Sequence, residues 1–81
     1  MMSCDQHDYL EIACLYRYRI RLTLASGNQL TGIALDTRRD GDRQECLLLG
    51  TDGAEQLVRL AELTRMEALT DNPHFRAVDF D

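Results

Sequence analysis

The first 21 residues hold side chains suited to three kinds of chemistry. Asp8 and Glu11 are carboxylates spaced one helical turn apart, with Asp5 just upstream. Cys4, His7 and Cys14 are side-chain types that ligate zinc. Arg17, Arg19 and Arg21 interleave with Tyr16 and Tyr18, and such interleaving suits holding phosphates and stacking bases.

Each possibility meets a physical test. The spacing of Cys4, His7 and Cys14 matches no usual zinc pattern, and a fourth ligand is not evident. Paired carboxylates act as acid and base only where burial or crowding moves their pKa, and Asp8 and Glu11 belong to a short exposed helix. Neither His7 nor His74 sits beside a serine or cysteine in a nucleophile motif. Asp40 and Asp42 flank Gly41, but calcium needs further ligands at defined spacing. The expectation is a protein with no enzymatic activity and no cofactor. Tyr16, Arg17, Tyr18, Arg19 and Arg21 define an alternative reading, an RNA-binding module. Against it, Arg19 and Arg21 read as the solvent face of a strand, paired with acids such as Asp36. The net charge of −5 also disfavours a binder whose affinity rests on neutralised phosphates.

Those side chains need a scaffold that 81 residues can build. This length allows one small domain, 1–81, and excludes a doubly wound nucleotide fold or a barrel enzyme. All nine basic residues are arginine, and the first fourteen residues carry −3 with no basic residue. No apolar run approaches the length of a membrane span. Three cysteines are too few for a disulfide scaffold, and the N-terminus lacks the pattern of a signal peptide. A cytoplasmic location is expected.

Asp5 or Asp8 can cap a helix over about 8–16, with Leu10, Ala13 and Cys14 as its apolar stripe. From Tyr18 the period becomes two: Tyr18, Ile20, Leu22 and Leu24 alternate with polar residues. Further strands follow at 29–37, 45–49, 55–60 and within 62–69, joined by turns at Ser26-Gly27-Asn28, Arg38–Arg43 and Gly50–Gly53. Gly32 marks a bulge or bend. Residues 71–81, with Pro73, form an edge segment or a loose tail. The pattern predicts a mainly β protein: an N-terminal helix, then a curled antiparallel sheet over about 18–69 that closes into a small barrel.

The run Cys4-Asp5-Gln6-His7-Asp8-Tyr9-Leu10-Glu11-Ile12-Ala13-Cys14 resembles the N-terminal signature of the Rho-binding antiterminator family, Rof, roughly C-D-x-x-D-x-L-E-[LI]-A-C. The resemblance extends to Leu22-Thr23-Leu24, the turn at Gly27 and Arg59-Leu60. It implies an Sm-like fold, with the helix ahead of a strongly bent small β-barrel. It implies one partner, the termination factor Rho, bound on the N-terminal domain that captures transcript. RNA loading would then be blocked and Rho-dependent termination suppressed. Carried over by position, Asp8 and Glu11, with Asp5 beside them, resemble the family's Rho-contacting residues. No direct contact with nucleic acid or membrane is expected.

Overall fold

The computed structural model describes residues 2–80; Met1 and Asp81, the ends of the expected domain and tail, lie outside the described residues. The chain forms α1 (Cys4–Leu15), β1 (Arg19–Leu24), β2 (Gln29–Arg39), β3 (Glu45–Thr51), β4 (Ala54–Arg59), a 3-10 turn (Leu60–Glu62), β5 (Leu63–Ala68) and β6 (Ala77–Asp79). β1 follows the expected alternation, burying Ile20 and Leu22. The β3–β4 hairpin turns through Asp52 and Gly53, both at positive φ, the backbone that Asp-Gly hairpins favour.

All pairings are antiparallel, in the order β4-β3-β2-β1-β5-β6. The sheet is open, which corrects the expectation of a closed, strongly bent barrel. Closing a five-stranded sheet would bring β4 against the free edge of β5. β6 takes that edge instead, pairing Arg65 with Asp79, Met66 with Val78 and Glu67 with Ala77. The open sheet is covered by α1, which packs on β2 and touches β6. Leu10 and Ala13 are buried there among Tyr18, Ile20, Leu22, Ala34, Leu47, Leu49, Met66 and Val78. Burying one such leucine stabilises the fold by about 1.5–3 kcal/mol.

Residues 71–79 are therefore built into the fold. Asn72 Oδ1 accepts from the backbone N–H groups of His74 and Phe75, which turns the chain at Pro73. Phe75 then packs on Tyr9 and Tyr18, tying this segment to both helix and sheet.

β2 is long enough to serve two partners, and its register against β3 shifts between Ala34 and Asp36, leaving Leu35 unmatched. The bulge thus lies beyond Gly32. Gly32 has a different duty: a Cβ there would run into the Gly50 carbonyl oxygen and lie 2.9 Å from Thr51 Cγ2. Only glycine allows the backbones of β2 and β3 to approach this closely.

The β2–β3 loop is held from both sides. Asp40 Oδ1 accepts from the backbone N–H groups of Asp42 (2.8 Å) and Gln44 (3.0 Å). Arg59 on β4 donates from Nε to Asp40 and from Nη2 to Asp42, each at 2.9 Å. These bonds, the Gln44 N–H first, hold the Asp40 carboxyl below its ordinary 3.8.

Two outcomes are expected. Gly32→Ala should cost about 1–3 kcal/mol of stability, read from urea unfolding, because the obstructing atom is backbone. A lowered folded pKa means that Asp40 stabilises the protein fully above pH 3.8 and that this contribution disappears as pH falls through the folded value. Asp40→Asn should therefore be less stable than the parent above about pH 5, with the gap closing in acid.

Candidate partner-binding helix face

Helix α1 begins at Cys4, two residues earlier than capping by Asp5 would allow and five earlier than capping by Asp8. Ser3 is the N-cap in a capping box: its hydroxyl accepts from Gln6 N–H, and Gln6 Oε1 accepts from Ser3 N–H. The Ser-x-x-Gln spacing is the sequence signal for this arrangement. Asp5 thereby falls in the first turn, where its charge suits the exposed N–H groups of the helix end.

With that start fixed, the helical period decides which side chains face solvent. Leu10 and Ala13 face the sheet, and Gln6 Nε2 donates to the Asp79 carbonyl on β6 at 2.7 Å. Cys4, Asp8, Glu11 and Leu15 follow one another at steps of four, three and four along the outer side, and all are exposed. Asp5 flanks this line and is exposed as well. Asp5 and Asp8 enter no ion pair among the described residues. Glu11 is less free, since His7 Nδ1 stands 3.5 Å from its carboxylate. The other ring nitrogen, Nε2, lies 3.1 Å from Glu45 at the start of β3, so His7 links helix to sheet. The sequence reading missed this link. It also missed the exposure of Leu15, which is 73% exposed and in line with the acids; Tyr16 beside it, named above among the alternative RNA-binding residues, is 54% exposed.

Cys4, His7 and Cys14 are not brought together. Ten residues of helix separate Cys4 from Cys14 by about 15 Å, and His7 is turned toward the two glutamates. Burial, and then the charge of Asp36, push the Cys14 thiol up to about 11, away from the thiolate that a metal requires.

The alternative RNA-binding residues are mostly spent within the fold. Tyr18 is buried in the core. The Tyr16 ring stacks with both Tyr18 and His74, at centroid distances of 5.7 and 5.4 Å. Arg21 pairs with Glu67 across β1 and β5 at 3.7 Å, while Asp36 is matched with Arg38 on its own strand. Arg17, at positive φ in the turn after α1, and Arg19 are exposed. The exposed tyrosine beside these arginines, Tyr16, already stacks on Tyr18 and His74, which leaves a poor base-stacking site.

Beyond the helix start lies a groove of about 760 Å³. Arg39 at the end of β2 and Arg43 in the β2–β3 loop line it together with Leu60, Leu63 and Phe80.

Residues 1–80 match the family described as Modulator of Rho-dependent transcription termination (ROF). A solved structure described as YaeO bound to magnesium, from Vibrio cholerae O395, is 39% identical to this chain. It superposes with a TM-score of 0.89, over 94% of this chain and 99% of its own. No curated protein matches the chain. No helix among the described residues is long and apolar enough to cross a membrane. Among the described residues, no three His, Cys, Asp or Glu side chains gather to hold a metal ion. Asp40 and Asp42, the pair that flanks Gly41, are engaged by Arg59. The match over residues 1–80 and the 39% identity over nearly the full length place this chain in the Rof family, the modulators of Rho-dependent transcription termination.

Proposed function

We propose that Asp5, Asp8 and Glu11, on the outer face of α1, form the surface with which this protein engages Rho. As a member of its family the protein is a non-catalytic antagonist that blocks RNA loading onto Rho. Rho's RNA-binding region is positive because it holds phosphates, and carboxylates held at fixed spacing compete for the same cationic groups. The observation that carries the proposal is that three carboxylates stand exposed on one side of a helix whose other side is buried. Rigid mounting matters because each side chain that must be ordered on binding subtracts from affinity.

Leu15 completes the surface. An exposed leucine in register with the acids offers an apolar contact where charge alone would leave the interface wet. On this reading residues 1–81 act as one Rho-binding domain. Its place of action is the cytoplasm, where Rho meets nascent transcripts; the partner supports that location.

The double substitution Asp8→Ala with Glu11→Ala should lower affinity for Rho at least tenfold in titration calorimetry. Its circular dichroism spectrum should match the parent's, because neither side chain is buried. Parental affinity should also fall as salt rises, since exposed charges are screened. Unchanged affinity in the double variant, together with a flat salt dependence, would transfer the interface to Leu15 and its apolar surroundings.

A further inference from the structure

The two edges of the sheet differ in how well they are protected. β6 is three residues long, and a very short edge strand recruits partners poorly. β4 runs for six residues, Ala54–Arg59, without proline or lysine. It pairs with β3 at six successive positions without a shift, whereas the β1–β5 and β2–β3 ladders are each interrupted. Bulges, prolines and charged side chains, lysine above all, are the usual means of keeping an edge from pairing with another chain; β4 has no bulge, proline or lysine, and its two charges, Glu55 and Arg59, are of opposite sign. Its outer edge pairs with no strand among the described residues, and five of its six residues are exposed.

We propose that the outer edge of β4 docks a second copy of this chain, the two β4 strands pairing antiparallel about a twofold axis at Leu57. The side chains select that register. Glu55, Leu57 and Arg59 share one face of the strand. Pairing centred on Leu57 sets this leucine, 43% exposed, against its own copy. It also sets Glu55 of each chain against Arg59 of the other, on both sides of the apolar pair. Centring on Gln56 would oppose Glu55 to Leu57, and centring on Val58 would oppose Leu57 to Arg59, so both lose the match.

The neighbouring structure supports the same register. Leu48, buried on β3, is the cross-strand partner of Leu57. Self-pairing therefore continues an apolar strip of Leu48, Leu57, Leu57 and Leu48 across the joint. Arg59 already donates from Nε and Nη2 to Asp40 and Asp42, which leaves Nη1 for Glu55 of the other copy. Helix α1 lies over β2 and β6, so the dimer leaves both acidic helix faces open. A six-residue joint is small for a protein interface, and the association is accordingly weak and dependent on concentration.

Sedimentation equilibrium of the full chain tests this between about 10 and about 500 µM, a range suited to a weak interface. The mean mass should rise from 9.3 kDa toward about twice that value, as two-copy closure requires. Leu57→Asp sets like charges against each other at the centre, and Glu55→Arg opposes two arginines at each end. Each should weaken association at least tenfold, with an unchanged circular dichroism spectrum because both positions are exposed. A mass of 9.3 kDa at every concentration would overturn the proposal. So would association of parental strength in either folded variant, since the joint would then lie elsewhere.

Discussion

The seating of α1 on the sheet is the constraint on which the rest of this small protein depends. Twelve residues make a helix that is marginal in water by itself. Its outer acids make matters worse, because like charges one turn apart repel. What keeps it folded is tertiary: Leu10 and Ala13 buried against the sheet, Gln6 bonded to the Asp79 carbonyl, and His7 placed against Glu45. The capping box at Ser3 and Gln6 satisfies N–H groups at the open end. The helix can therefore hold its carboxylates in solvent without support from those carboxylates.

The same seating bears on the shape of the sheet. β6 occupies the edge of β5 that a closing strand would need, and its Asp79 carbonyl receives Gln6 from the helix. The segment leading into it brings Phe75 onto Tyr9 and Tyr18. One C-terminal stretch thus keeps the sheet open and fastens the helix across it. The open sheet still buries its apolar face, because α1 supplies the second layer that strand closure would otherwise provide.

What was legible in the sequence is what depends on near neighbours. The alternation from Tyr18 to Leu24 marks β1, and Asp52-Gly53 marks a hairpin. Tyr18 shares its phase with Ile20 and Leu22, and this parity already assigns it to the core, against a base-stacking role. The exposure of Asp8 and Glu11 follows from helical period alone. The strand at Ala77–Asp79 was not legible: three residues after Pro73 are too few to show a period, and pairing with β5 is what makes them a strand. The His7–Glu45 link joins residues 38 positions apart, so no local pattern announces it. Ser3-x-x-Gln6 is a local signal too, and Asp5 and Asp8 compete with it because they are equally good caps.

On the proposed function, the acidic face of α1 and RNA compete for one region of Rho. Displacement of a fluorescent RNA oligonucleotide from purified Rho, followed by anisotropy as this protein is added, tests it most directly. Anisotropy should fall to the value of free RNA, and more RNA should require proportionately more protein to displace it. Substituting Asp8 and Glu11 by alanine should abolish the effect. RNA that stays bound to Rho while this protein is also bound would show that the two occupy different regions.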